Sequence, residues 1–228
     1  MGSRQNNVWA DELEKPGRQV TLSRGFWISE APITIRQYAT VLSIEPTLGT
    51  YEASLDSPAS QHAWEEAVAF CEALDKSVNV EEVFDNISAG HFSLPTEAQW
   101  EYACRAGTTT RWHFGRFSWQ LGEYAWYKKN TTRPYKLPAV KQKKPNPWGI
   151  YDLYGMVYEW CVDDLLPYDR IQEYIDPVAK TDDNLAKIIR GGAIDDAAEF
   201  CTSRARRSLA SWNSDNDLTG IRVVFQES

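Results

Sequence analysis

The sequence predicts an α+β fold, one domain over residues 1–228 with few helices, short antiparallel strands and much irregular coil. Three observations carry this. Helical periodicity is confined to the first half, whereas beyond Gly107 the chain runs through Gly, Pro, Asn and aromatics with no helical period. The 228 residues include 10 Trp, 11 Tyr and 8 Phe, more rings than a helical bundle needs and suited to filling irregular space. No run of 18 apolar residues and no internal repeat of 20 to 50 residues is present.

Taken in order, Arg18–Leu22 and Gly25–Ser29 alternate as strands do, until Pro32 breaks the pattern. Thr34 and Gln37 form a capping box that opens a short helix through Leu42. Trp64, Ala67, Val68, Cys71 and Leu74 recur at helical spacing, with Glu65, Glu66 and Glu72 opposite. A third helix follows the Thr96/Gln99 capping box, with Trp100, Ala103 and Cys104 as its inner stripe and Gly107 as its C-cap. Lys141, Lys143 and Lys144 read as a solvated turn, too short a cluster for a phosphate site. Ile188 and Ile189, then Gly191-Gly192, predict a buried strand that turns sharply, and residues 220–225 predict a final strand.

Charge and composition exclude several function classes. With 24 basic and 32 acidic side chains the net charge is -8 and the pI near 5.0, which argues against a nucleic-acid or anionic-membrane partner. Cys71, Cys104, Cys161 and Cys201 are too few and too scattered for a disulfide scaffold or a zinc site. The three histidines, His62, His91 and His113, have no metal-binding spacing. Residues 1–20 contain no apolar segment of the signal-peptide kind, and with the reduced-looking cysteines this favours the cytoplasm. Asn6, where a Ser or Thr is needed, weakens a myristoylation reading of Gly2.

Four segments in order carry a resemblance: Leu94-Pro95-Thr96-Glu97-Ala98-Gln99-Trp100-Glu101-Tyr102-Ala103; residues 146–160, which read NPWGIYDLYGMVYEW; Arg190-Gly191-Gly192; and Gly220-Ile221-Arg222-Val223. Together they resemble the formylglycine-generating enzymes, or sulfatase-modifying factors, whose fold is an elaborated C-type lectin fold. Phe26-Trp27-Ile28 to Thr34 matches the family's first strand and helix, so the resemblance covers nearly the whole chain. Met1-Gly2-Ser3 resembles the end of a strand that usually opens the domain, and the expectation is that this first strand is lacking. Trp27, Trp64, Trp100, Trp148 and Trp160 fall within or beside these motifs and read as core filling, with Trp212 the exception.

The resemblance implies a chemistry and also its loss. Family enzymes oxidise a substrate cysteine to formylglycine with oxygen and a copper(I) ion held by two cysteines. Counted from Gly192, the matching positions are Asp196 and Cys201. A carboxylate is a hard ligand poorly suited to Cu(I), so the pair argues against copper and against this catalysis. Ala193 and Tyr158, where active relatives carry Ser and Trp, also weaken the substrate cleft. Cys201, the one candidate catalytic residue should the chain be an enzyme, reads first as a small buried hydrophobe.

The family's structural calcium site maps onto Asp152, Gly155, Val157 and Glu159, two carboxylates and two backbone carbonyls. The competing reading pairs Glu159 with an arginine such as Arg190 and leaves Asp152 capping a turn. The family's second calcium site needs an acidic loop that residues 128–144 do not supply.

In the fold so implied, residues 193–219 build the ligand-facing side. Asp195, Asp196, Arg204, Arg206, Arg207, Trp212 and Asn213 are therefore the candidate contacts to a protein or peptide, Arg and Trp being frequent interface hot spots. The competing reading makes alternate residues core and pairs the arginines with Asp195, Asp196 and Glu199. The function expected is a non-catalytic binding domain, with the variable protein of a diversity-generating retroelement as a special case. The alternatives are an oxidoreductase making formylglycine and an accessory or sensor domain of a larger signalling protein.

Overall fold

A computed structural model of the chain describes residues 1–6, 11–51, 54–84, 87, 89–182, 186–212 and 218–227. Its elements in chain order are β1 (Trp27–Ile28), α1 (Ile35–Leu42), α2 (Trp64–Ser77), α3 (Val80–Val83), β2 (Gly90–Ser93), α4 (Glu97–Arg105), α5 (Leu121–Tyr124), β3 (Tyr158–Asp164), β4 (Ala186–Arg190), β5 (Arg206–Ala210), β6 (Thr219–Gly220) and β7 (Val224–Glu227). Among the described residues β1, β7 and β2 form one antiparallel sheet, and β5, β4, β3 and β6 form a second whose last pair is parallel. The mixture of few helices, short strands and long coil is the α+β architecture expected.

The larger sheet lies between two apolar clusters. Trp160 and Ile189 face one, with Ile33, Phe70, Leu94, Val157 and Ile221; Cys161 and Ile188 face the other, with Trp100, Trp112, Leu153, Tyr154 and Cys201. Successive strand residues point to opposite faces, so a sheet covered on both sides shows no polar alternation. That is why β3 was not readable as a strand, although six of its seven residues are buried.

The three predicted helices form, two of them with the predicted caps. Thr34 and Gln37 exchange hydrogen bonds with each other's backbone N–H, and Thr96 and Gln99 do the same. The end of α4 differs by one residue, because Ala106 takes the left-handed conformation at φ 44° and donates its N–H to Tyr102 O. More than the predicted inner stripe of α4 is buried, since Glu97, Gln99 and Glu101 are inside as well.

Residues 18–22 are not a strand. Thr21 makes a single bridge to Ile175, and the Arg18 guanidinium donates to the carbonyls of Tyr168 and Ile171. The predicted final strand is split: Ile221 and Val223 lie between β6 and β7, and their carbonyls accept from Ile33 and Ser29. The tryptophan expectation holds for Trp100 and Trp160, but Trp27 and Trp148 are half exposed and Trp112 is a core ring instead. All four cysteines are buried and unbridged. The lysine cluster is a turn in which Lys141 pairs with Glu30, Lys144 with Glu123, and Lys143 sits 3.9 Å above the Trp126 ring. No helix among the described residues is long and apolar enough to cross a membrane.

Candidate functional site

Strand β4 ends on Arg190 and passes into Gly191 and Gly192, at φ 100° and 77°. A side chain at Gly192 would meet Cys201 Sγ at 2.8 Å and Phe200 O at 2.9 Å. Glycine here lets the loop from Ala193 to Ala205 fold back on its own start. The loop is pinned by Ile194 N–H to Met156 O at 3.0 Å and Lys128 N–H to Asp196 O at 3.0 Å.

At the position matched to the first metal-binding cysteine, Asp196 accepts the Ala193 N–H at 2.9 Å and so closes a local turn. Its charge neighbours Tyr158, whose phenol is pushed well above its ordinary range by burial first and Asp196 second. At the second position the Cys201 thiol is fully buried, with Sγ 3.9 Å from Ala193 O. Burial, followed by Asp196, pushes this thiol well above its ordinary range. A neutral enclosed thiol and a hydrogen-bonded carboxylate do not fit copper(I), which favours a set of soft thiolate ligands.

The candidate contact residues divide. Arg206 is buried and makes two 2.8 Å hydrogen bonds to Glu97, with further bonds to Leu13 O and Leu166 O, so it is not a surface contact. Arg204 is largely covered and lies 3.0 Å from Glu14. These partners come from the N-terminal segment and α4, not from Asp195, Asp196 or Glu199. Arg207 is exposed and lies 4.1 Å over the Phe200 ring. Asp195 is exposed beside the half-buried Asp196, and its carboxyl is raised by partial desolvation first and that neighbour second.

Trp212 is 69% exposed but lies in the turn two residues beyond the far end of β5, whereas Arg207 is at its start. Asn213 lies outside the described residues. Phe117 and Trp119, 72% and 73% exposed, were missed. They flank Ser118, which lines a shallow cavity with Ala197 and Ala198 of the loop. Their signal was the alternation Phe117-Ser118-Trp119 within coil.

Of the residues assigned to calcium, Glu159 is already engaged and Asp152 only in part. Both Glu159 oxygens accept from Arg222 at 2.8 Å, and Oε2 also accepts Trp100 Nε1–H at 2.5 Å. Asp152 accepts the Lys141 N–H at 2.7 Å through Oδ2, its Oδ1 having no partner among the described residues. No group of three metal-ligating side chains occurs among the described residues. The arginine reading holds with a different partner, since Arg190 is engaged by Glu101.

Comparison with known proteins bears on the family and the fold. The family described as "Sulfatase-modifying factor enzyme 1-like domain" matches residues 1–227. The chain is similar to a chaperone protein LppX of Paenibacillus barcinonensis, at 28% identity over 63% of this chain and 64% of that protein. It is also similar to the formylglycine-generating enzyme of Mycobacterium tuberculosis, at 27% identity over 58% of this chain and 50% of that enzyme. The matches thus span about half to two thirds of these relatives' length. Among solved structures, Treponema denticola variable protein 1 superposes with a TM-score of 0.79 at 25% identity, over 98% of this chain and 90% of that one. The chain therefore belongs to the sulfatase-modifying factor family and carries the lectin-like fold of the formylglycine-generating enzymes.

Proposed function

We propose that this chain is a non-catalytic member of its family that binds a protein or peptide through the face built by residues 193–205 and β5. The observation that carries the reading is Asp196 in the first metal-binding position, its carboxylate engaged by the Ala193 N–H. The neighbouring surface has the composition of an interface: Phe200 and Arg207 are stacked, Asp195 and Asp196 belong to the same loop, and the exposed Phe117 and Trp119 flank Ser118, which lines the adjoining cavity. Trp212 supplies a second anchor at the other end of β5.

The special case is a diversity-generating retroelement variable protein, supported by the likeness to Treponema denticola variable protein 1. A near-copy of the codons for residues 193–219 beside a reverse transcriptase gene supports it, and a locus with neither removes it. The general reading is tested by panning a displayed peptide library against the chain with counter-selection on an Arg207→Glu/Trp212→Ala variant. Enriched peptides that bind the wild type at least tenfold better support it; enrichment that is equal on both refutes this face. Oxidation of a substrate cysteine is the second reading, favoured by the similarity to formylglycine-generating enzymes.

A further inference from the structure

Adjoining this face at Arg204, and against a net charge of -8, one cleft of about 760 Å³ is lined by five arginines: Arg4, Arg105, Arg111, Arg116 and Arg204. Two carboxylates form ion pairs with this group, and both are engaged. Glu101 holds Arg105 at 2.8 Å and Arg190 from beneath, and Glu14 lies 3.0 Å from Arg204. Arg4 and Arg116 are exposed and have no carboxylate partner among the described residues. Asp11 is turned to the Leu13 N–H and Glu12 to Lys15, so neither supplies one.

Arg111 is the most telling. Its guanidinium touches the Glu199 carbonyl at 3.4 Å and the Trp112 ring face at 4.9 Å, and its Nε is buried with no acceptor among the described residues. Burial first and Arg204 second hold it below the ordinary guanidinium range, outweighing Glu14 and Glu199. Guanidiniums crowded in a partly desolvated cleft repel one another, and a bound anion removes both the repulsion and the missing acceptor.

The shape of that anion follows from the donors. A carboxylate offers one flat edge and a single charge, whereas a phosphate offers several oxygens and close to two charges, enough for more than one guanidinium fork. The cleft is far larger than a lone phosphate group, leaving room for an organic remainder. We infer that the Arg4–Arg111–Arg116 cleft is a binding site for a phosphate dianion, free or carried on a small molecule.

The test is calorimetric titration of the full chain with inorganic phosphate and with phosphoserine at constant ionic strength. One saturable site per chain is expected for at least one of the two. The tighter ligand identifies the source, phosphoserine indicating that the remainder is bound and phosphate the free ion. Arg116→Glu and Arg4→Glu, both at exposed positions, should weaken binding at least tenfold, whereas Arg24→Glu, the same charge change outside the cleft, should alter it less than twofold. Absence of saturable binding of either ligand overturns the inference, as does equal weakening by all three substitutions.

Discussion

The side chain of Arg206 reaches into the protein to Glu97 while that of Arg207 stands in solvent against Phe200, because successive residues of β5 face opposite sides of the sheet. Their substitutions should separate accordingly. Arg206→Ala removes the two guanidinium bonds to the buried Glu97 carboxylate, leaving it the Tyr168 hydroxyl at 3.0 Å and Arg190 at 3.7 Å, and should cost about 3 kcal/mol in urea unfolding. Arg207→Ala should change stability by about 0.5 kcal/mol or less while lowering peptide capture. The sequence placed both arginines on one ligand face, since nothing in the run Arg204-Ala205-Arg206-Arg207 says where β5 begins. Glu97 and Glu101 in α4 were the missing half of the pattern, buried acids that call for buried arginines.

Asp163 extends the same reasoning to pH. Burial first, then the charge of Glu97, pushes its carboxyl up to about 7 from the ordinary 3.8. Protonated Asp163 therefore favours the folded state, a contribution present in full below pH 3.8 and lost as pH rises through about 7. Glu101 runs the other way: although burial opposes its charge, Arg190 and Arg105 hold it at about 2, so its contribution is present above pH 4.5 and lost as pH falls through about 2. Urea midpoints measured from pH 3 to 9 should flatten between pH 4 and 7 in Asp163→Asn relative to wild type.

At the scale of elements, local signals were legible wherever a short stretch carries its own explanation. The two Thr–Gln capping boxes fixed the starts of α1 and α4, and apolar spacing fixed α2. Thr96→Ala should cost about 1 kcal/mol in thermal or urea unfolding through loss of the cap. Strand β3 and the split of the last strand depend on what packs against them, so no local pattern announced them. The Gly191-Gly192 turn was legible because left-handed backbone selects glycine, and Gly192→Ala tests its role. Its Cβ would meet Cys201 Sγ at 2.8 Å in a left-handed residue, so a loss of about 2 kcal/mol or more is expected.

For the whole molecule, the family and fold were legible because four ordered motifs span the chain, and those motifs turn out to be the buried framework. Trp100, Glu159 and Arg222 come from three of them and meet in one hydrogen-bonded cluster. The same fact bears on the calcium assignment: Glu159 belongs to the framework through Arg222, a pairing between distant segments that spacing does not reveal. The function turns on a smaller difference, Asp196 together with an enclosed Cys201 at the two positions the resemblance assigns to metal-binding cysteines. The most direct test is incubation of the purified chain with copper(I), oxygen and a peptide containing a C-x-P-x-R motif, followed by mass spectrometry of the peptide. The peptide cysteine should remain unconverted; conversion to formylglycine that disappears in Cys201→Ala would contradict a non-catalytic role.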